Sequence, residues 1–290
     1  MPHSKGGAAL GSGPSRTNQT LSEAVFASIA QIIENEAGIE LNPSKILMVG
    51  SRISKRLKAL SMDSFEDYLE FLRSSNGSSE YAHLINVVTT NVTAFFREQH
   101  HFDDFETNLL PTLVERAKAG ARVRIWSAGC STGAEPYSLA LVINKHLPDA
   151  QSYDMKILAT DIDHGCLTKA SEGRYSREQV ETEISAEYRK QFQDVDDDTV
   201  EVRETVRRLV TIRKLNLIQP WPVRGSFSTI FCRNVVIYFG GELTARIWTQ
   251  FADHLEADGR LYIGHSERVK GPALDKLDPV GITTYQRNGA

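Results

Sequence analysis

A loop of small residues, SAGCSTGA at 127–134, links a short apolar run to a helix that we expect to begin near Glu135. Such residues do not fill space, so they allow a ligand to approach the backbone closely. In α/β proteins a glycine-containing turn between a strand and a helix N-terminus commonly binds nucleotide-like cofactors. The loop is therefore the first candidate binding site in the chain.

The spacing of the loop glycines argues against a phosphate ligand. The loop contains Gly129 and Gly133 but lacks the second glycine of the dinucleotide-binding pattern G-x-G-x-x-G. It also lacks a lysine after Gly133, which the phosphate-binding pattern G-x-x-x-x-G-K-[ST] requires. Glu135 would repel a phosphate, whereas its carboxylate can accept hydrogen bonds from a ribose hydroxyl or a cationic amino group. These properties favour S-adenosylmethionine, which carries a sulfonium and an ammonium group and no phosphate. A tight strand–helix turn without a ligand is the alternative.

Polar residues near the ends of two other predicted strands could complete such a site. Asp161 ends the second strand, where its oxygens could accept hydrogen bonds from ribose hydroxyls. The alternative is a helix N-cap, for which Asp163 is better placed. Arg233 and Asn234 interrupt the apolar sequences IFC and VVIYF, and burying them unpaired would cost about 1–3 kcal/mol. We expect both to face the pocket, with a strand-end asparagine bonded to nearby backbone as the alternative, and Tyr238 is either a core or a pocket tyrosine.

The segment TTNVTAFFREQHHF precedes this region, and its mixture of residues does not fit a regular helix face. One interpretation is a linker over 89–99 held in place by its two phenylalanines. The other is a lid that places Asn91, Thr93 and Arg97 over the cofactor pocket. The adjacent histidines at its end point in different directions and have no partner motif, so we predict no metal site.

Hydrophobic periodicity predicts the elements that position these residues. Helical spacing runs through 21–88 and indicates an all-helical domain, after a Gly/Ser-rich tail at 1–20 that we expect to be disordered. Strands and helices then alternate, which predicts an α/β fold with a doubly wound, mostly parallel sheet over 100–290. VEVRETV and LVTIRKL predict an antiparallel pair, an inserted β-subdomain at about 190–215. We expect the helix LTARIWTQFADHLEADG to end at Gly259, and ITTYQRN to form an edge strand.

Composition excludes several classes of protein. The chain has 290 residues, of which 41% are hydrophobic and 24% charged, as is usual for a globular protein. No apolar stretch approaches the ~20 residues of a membrane span, and the N-terminus lacks the apolar core of a signal peptide. The three cysteines form no C-x-x-C pair, which fits a reducing cytoplasm. A net charge of −4 gives no reason to expect nucleic-acid binding.

The second helix of the all-helical domain carries a run of positive charge. Arg52, Lys55, Arg56 and Lys58 lie in a stretch, 45–60, that contains no acidic residue. A solvated helix face is the simplest explanation. A face of one sign on an acidic protein instead suggests docking to an acidic partner.

Taken together, NVTAFFRE, SAGCSTGAEPYS, TDID, LNL and FCRNVVIYF resemble the CheR family of chemotaxis receptor glutamate methyltransferases. The motifs occur in the family's order, and the resemblance spans about 22–285. It implies a helical N-terminal domain before a Rossmann-like class I methyltransferase domain with a β-subdomain, and S-adenosylmethionine as cofactor with S-adenosylhomocysteine as product. It also implies a set of cofactor-binding residues: Asn91, Thr93, Arg97, Gly129, Glu135, Asp161, Asn216, Leu217, Arg233 and Asn234.

The resemblance further implies methylation of glutamate side chains on chemoreceptors for sensory adaptation. A glutamate is already anionic at pH 7, so the reaction needs positioning rather than a general base. Arg97 is then the candidate to hold the acceptor carboxylate, and Tyr238 to orient it by a hydrogen bond. The basic helix would dock on the glutamate-rich helical region of the receptor. Nothing requires more than a cytoplasmic monomer without membrane insertion.

One turn departs from the family pattern. Family members that tether to a receptor's C-terminal pentapeptide have a longer, glycine-containing turn where this chain has FQDVDDDTVEVR. We therefore expect this chain to work without the pentapeptide. The rival interpretations are a methyltransferase for another protein or a small molecule, and a non-catalytic S-adenosylmethionine-binding module.

Overall fold

The computed structural model describes residues 20–89 and 91–289, so all but the last residue of the predicted disordered tail lies outside the described residues. The predicted all-helical domain is present. Ser22 and Ser64 cap the first and third helices through their side-chain oxygens, and Gly38 ends the first helix in a left-handed conformation. Its α-helices within the described residues are α1 (Glu23–Ala37), α2 (Ile46–Leu60), α3 (Phe65–Arg73) and α4 (Tyr81–Val88).

A large twisted sheet follows, as the alternating pattern predicts. Within the described residues it has seven strands in the order β6-β2-β1-β7-β8-β10-β9, the first five of them parallel. Because β2 and β7 lie on opposite sides of β1, the strand order reverses there, and this is where doubly wound sheets bind ligands. The strands of this sheet are β1 (Val123–Ala128), β2 (Met155–Asp161), β6 (Val210–Lys214), β7 (Phe227–Cys232), β8 (Leu255–Ile263), β9 (Leu277–Gly281) and β10 (Thr284–Arg287).

Helices cover both faces of this sheet. Along β1, Val123 and Ile125 face one apolar layer, while Trp126 and Ala128 face the other, as alternation along a strand requires. A π-helical turn at Phe105–Leu109 joins the helices at 100–104 and 110–118. The α-helices of this domain are α5 (His100–Asp104), α6 (Leu110–Lys118), α7 (Ala134–His146), α8 (His164–Glu172), α9 (Arg177–Glu183), α10 (Ala186–Arg189), α11 (Glu204–Arg207) and α12 (Gly241–His254), and short 3-10 helices include Val236–Tyr238 and Gly271–Asp275.

The predicted pairing of the β-subdomain was wrong. VEVRETV supplies β5 (Thr199–Val202), which pairs with β3 (Arg174–Ser176) and β4 (Phe192–Asp194) in a separate antiparallel sheet. LVTIRKL forms β6, which pairs parallel with β2 in the main sheet. Helix α11, which begins within VEVRETV, separates β5 from β6, so these strands do not form a hairpin, and the subdomain sheet is built from 174–202.

Two predictions near the C-terminus were also wrong. Helix α12 ends at His254 rather than Gly259, because residues 255–259 already belong to β8. The strand at ITTYQRN is internal, since β10 lies between β8 and β9, and β9 forms the edge. Within the described residues, no helix is both long and apolar enough to cross a membrane.

Candidate functional site

One open cleft lies at the carboxyl ends of β1, β2, β6 and β7. Ala37 and Ile39 of the helical domain also line this cleft. The structure brings every predicted cofactor and catalytic residue to this cleft, although their individual roles remain predictions. These residues are Asn91, Thr93, Arg97, Gly129, Glu135, Asp161, Asn216, Leu217, Arg233, Asn234 and Tyr238.

The loop after β1 has the close-approach geometry that its small residues indicate. Gly129 has φ +82°, and a Cβ there would lie 2.3 Å from Cγ2 of Val235. Ser131 also adopts a left-handed conformation, and its backbone N–H donates to Oδ2 of Asp161 at 2.8 Å. Glycine is therefore required at 129, where the backbone forms part of the cleft wall.

Asp161 holds the loop while facing the cleft. Its Oδ1 accepts a hydrogen bond from the N–H of Asp163, and Oδ2 accepts the one from the loop. Burial raises the pKa of Asp161, and these backbone hydrogen bonds partly oppose the rise. The N-cap of α8 is Asp163, so Asp161 does not have the capping role that was its alternative. Each oxygen of Asp161 keeps a further lone pair for a ligand hydroxyl.

Glu135 sits in the first turn of α7 and points into the cleft. The hydroxyl of Ser127 donates to its Oε1 at 2.7 Å, and Arg233 Nη1 lies 3.3 Å from its Oε2. Burial raises the pKa of Glu135, while the positive charge of Arg233 opposes this. A part-buried carboxylate of this kind suits a cationic ligand group, as the sequence suggests.

The residues after β7 are held by an acid that sequence analysis missed. Glu267 is buried, and its two oxygens accept hydrogen bonds from the backbone N–H groups of Asn234, Val235, Val236 and Gly264 at 2.6–3.0 Å. Asn234 is thereby fixed at φ +59°. The only sequence signal was an acidic residue shortly after the apolar strand LYIG.

Two observations fit S-adenosylmethionine to this cleft. The first observation is that the side-chain oxygen of Asn234 is buried and has no hydrogen-bond partner among the described residues, so it can accept a hydrogen bond from a ligand. The second observation is that two part-buried carboxylates, Glu135 and Asp161, line the same cleft. An adenosine supplies polar N–H and O–H groups, and the carboxylates of Glu135 and Asp161 suit its ribose and the amino acid end.

The segment before the sheet acts both as a linker and as a wall of the cleft. Phe95 packs edge-on against Tyr175 with ring centres 4.8 Å apart, and Phe96 stacks on Tyr188 at 5.1 Å. These contacts hold the chain in place while Arg97 faces the cleft. The two interpretations of the segment are therefore compatible.

The helical domain closes another side of the cleft, which the sequence did not reveal. Asn216 donates from Nδ2 to the carbonyl of Glu36 at 2.8 Å, and the N–H of Glu40 donates to the carbonyl of Tyr238 at the same distance. Ile39 forms a β-bridge with Phe239. Asn216 thus joins the two domains at the cleft.

The basic run on α2 is not a continuous free surface. Arg52 donates to the carbonyls of Val87 and Thr89 at the end of α4. Arg56 forms two hydrogen bonds of 2.7 Å with the buried carboxylate of Glu80. These two arginines therefore have partners inside the domain, and a docking role for the four cations stays a prediction. Lys55 and Lys58 are exposed.

The rings of His100 and His101 lie 4.1 Å apart, so the prediction that these side chains point in different directions was wrong. His101 is buried, and its Nε2 contacts the hydroxyl of Thr283 at 2.8 Å. Burial, with the nearby charges of Arg233 and His100, lowers the pKa of His101 to about 3. Over 20–89 and 91–289, no group of three or more histidine, cysteine, aspartate or glutamate side chains forms a candidate metal site.

Comparison with known proteins identifies both domains. The CheR methyltransferase SAM-binding domain matches residues 91–286, and the CheR methyltransferase all-alpha domain matches 24–89. A probable chemotaxis protein methyltransferase of Rhizobium etli is 46% identical over 88% of this chain and 96% of its own length. Chemotaxis protein methyltransferases of Borreliella burgdorferi (35% identity; 93% and 96% covered) and Escherichia coli (38%; 85% and 85%) are also similar. The chain belongs to the CheR methyltransferase family, and its cofactor is S-adenosylmethionine.

Proposed function

We propose that this chain methylates glutamate side-chain carboxylates of chemoreceptors, giving methyl esters. Its similarity to chemotaxis protein methyltransferases supports a chemoreceptor substrate. When bound, S-adenosylmethionine supplies an electrophilic methyl group on a sulfonium. A glutamate carboxylate is already an anionic nucleophile at pH 7, so the protein has to hold and partly dehydrate it rather than deprotonate it.

The observation that carries this proposal is the different pairing of two arginines in the cleft. Arg233 lies between the carboxylates of Glu135 and Glu98. Arg97 pairs with no carboxylate of the described residues, and its side chain donates only to the carbonyl of Val92 at 3.2 Å. Its remaining N–H groups can bind both oxygens of an acceptor glutamate. Tyr238, in the same cleft, can donate a hydrogen bond to that carboxylate.

A methyl-transfer assay tests this role. Labelled S-adenosylmethionine is incubated with receptor cytoplasmic fragments, and alkali should release the label as methanol. We expect Arg97→Ala to lower kcat/KM for the receptor by about 10²-fold or more, since positioning and charge stabilisation are both lost. Arg213→Ala is the matched control, because Arg213 is exposed and its side chain also bonds one backbone carbonyl. Alkali-stable label, or equal activity of the two variants, would contradict the proposal.

We further propose that Lys55 and Lys58 dock the helical domain on the acidic methylation region of the receptor. Both are exposed on one helix and have no acidic partner within the described residues. Reversing both charges to glutamate should weaken receptor methylation several-fold at low salt and less at high salt, since exposed charges are screened. Reversal of Lys118 and Lys270, exposed lysines of the other domain, is the control. Equal effects of the two pairs would argue against docking.

The β-subdomain supports the proposal that no receptor pentapeptide is needed. The turn at 195–198 between β4 and β5 lacks glycine, and Arg177 ties it down by donating to the carbonyls of Asp196 and Asp197. Arg177 also pairs with Asp194 at 2.8 Å, so this cation is already occupied. The aspartates would repel a peptide that ends in a free carboxylate. Calorimetry should detect no low-micromolar binding of such a pentapeptide.

A further inference from the structure

Arg233 has an unusual position for a residue expected only to bind the cofactor. Its side chain is 2% exposed, and its guanidinium lies 5.5 Å from the ring centre of Phe102. Nη1 is 3.3 Å from Glu135 Oε2, and Nη2 is 3.5 Å from Glu98 Oε2. Nη2 also donates to the carbonyl of Arg97. One cation is therefore shared between two carboxylates and the backbone that carries the proposed acceptor-binding arginine.

Glu98 is held firmly in this arrangement. Its backbone has φ +55°, a left-handed conformation that a non-glycine residue keeps only where surrounding contacts impose it. Its Oε1 accepts hydrogen bonds from the N–H of His265 at 3.2 Å and from Nδ1 of the same residue at 3.0 Å. Its side chain is 12% exposed. Neither the cofactor prediction nor the proposed mechanism has assigned a role to this residue.

Glu98 is ionised in this environment. Burial would raise its pKa, but the hydrogen bonds from His265 and the charge of Arg233 outweigh burial and lower it. His101 also faces Oε2 at 3.4 Å, and its own lowered pKa leaves it neutral at pH 7. The positive charge that Glu98 meets in the interior is therefore that of Arg233.

The formal charges of this cluster have a consequence for ligand choice. Glu98 and Glu135 contribute two negative charges and Arg233 one positive charge, which leaves the cluster with a net charge of −1. S-adenosylmethionine carries a net charge of +1, whereas the product S-adenosylhomocysteine is neutral overall. If Glu98 were uncharged, Arg233 would pair with Glu135 alone, and the attraction of this cluster for the cationic donor over the neutral product would weaken.

We propose that Glu98 is a positioning residue that acts through Arg233: because it shares this cation, Arg233 only partly neutralises the Glu135 carboxylate, and the cleft prefers the cationic donor S-adenosylmethionine to the neutral product. The inference rests on the proposed methyl transfer only in its choice of the two ligands. Glu98 need not contact either ligand. The expected signature is a change in the ratio of the two affinities rather than a general loss of binding.

Calorimetric titration of both ligands into the full chain tests this inference. We expect Glu98→Gln to weaken S-adenosylmethionine binding on the order of tenfold while changing S-adenosylhomocysteine binding much less. Glu256→Gln is the matched control, because Glu256 is also part-buried and paired with an arginine, but lies where β8 begins, at the other end of the strands. It should leave both affinities unchanged.

A second pair of variants separates charge from folding. Aspartate and asparagine both tolerate left-handed backbone, so Glu98→Asp and Glu98→Asn differ mainly in charge. The ratio of S-adenosylmethionine to S-adenosylhomocysteine affinity should be higher in the aspartate variant. Equal loss of both ligands in Glu98→Gln, or equal ratios in the Asp and Asn variants, would overturn the inference. Because these titrations contain no receptor, their outcome is independent of whether receptors are methylated.

Discussion

The ion pair between Arg56 and Glu80 leads to a prediction that separates folding from docking on α2. The two side chains form two hydrogen bonds of 2.7 Å, and Tyr68 donates to the same carboxylate at 2.9 Å. The side chain of Glu80 is 4% exposed and that of Arg56 is 23% exposed. Replacing Arg56 by alanine would therefore leave a buried carboxylate with one hydrogen-bond donor from this group.

The cost of this change can be bounded from the exposure of the pair. Removing one partner of a buried ion pair typically costs about 3–5 kcal/mol. Water reaches part of the Arg56 side chain and can solvate the freed carboxylate, so we expect Arg56→Ala to lower the free energy of unfolding by about 2–4 kcal/mol. Lys55→Ala should change it by no more than ~0.5 kcal/mol, because that side chain is exposed.

Urea denaturation followed by circular dichroism measures both variants under the same conditions. The pH dependence gives a second check. Burial would raise the pKa of Glu80, but the hydrogen bonds from Arg56 and Tyr68 more than offset this and lower it. The stabilisation is therefore complete above the unfolded-state pKa near ~4.3 and is lost as pH falls through the lower folded-state value. The reasoning fails if Arg56→Ala matches Lys55→Ala at pH 7, or if their difference does not shrink in acid.

Three further predictions concern the cleft. Gly129→Ala should weaken S-adenosylmethionine binding at least tenfold. Gly120→Ala is the control and should not weaken it, because Gly120 has the same φ of +82° but open space around it. Equal binding by the two variants would refute this prediction. Glu267→Gln should lower the free energy of unfolding, measured in urea, by about 1–3 kcal/mol and should weaken cofactor binding. The reason is that the N–H₂ group of the amide would face backbone N–H donors. Burial raises the pKa of Glu135 and Asp161. Calorimetry should therefore show that cofactor affinity falls on acidification at pH values above ~4.3, where ordinary carboxylates are still ionised. Constant affinity down to this pH would contradict the prediction.

The elements that local sequence specifies were predictable. The loop at 127–134 could be interpreted without a structure because glycine spacing and an acidic helix start describe its chemistry directly. The capping role of Ser64 and the end of α1 at Gly38 follow from residue type for the same reason. These features depend on atoms within a few residues of each other.

Strand pairing was not predictable in the same way. The alternating pattern correctly marks the segments of β5 and β6 as strands, but alternation says only which face is apolar and not which neighbour supplies the hydrogen bonds. Only the structure shows that β6 extends the main sheet beside β2, some fifty residues earlier in the chain. For the same reason, the sequence did not show that β9 pairs with β10, and β10 was predicted to be an edge strand.

Charge patterns failed where the partner lies far along the chain. Arg56 belongs to a run without acids, yet Glu80 reaches it from 24 residues away. Glu267 is 31–33 residues from three of the four N–H groups that it binds. Neither separation has a sequence signature, because any acid after a strand or a loop would look the same.

The two arginines of the cleft show why pairing matters more than residue type. In sequence both appear as cations beside cofactor motifs. In the structure Arg233 lies between the carboxylates of Glu98 and Glu135. Its positive charge is shared by these two acids, so it would bind an incoming anion only weakly. Arg97 has no such partner within the described residues, and an acceptor carboxylate would complete its hydrogen bonding. Loss of Arg97 should therefore affect the acceptor first, whereas loss of the Glu98 charge should affect the choice between donor and product.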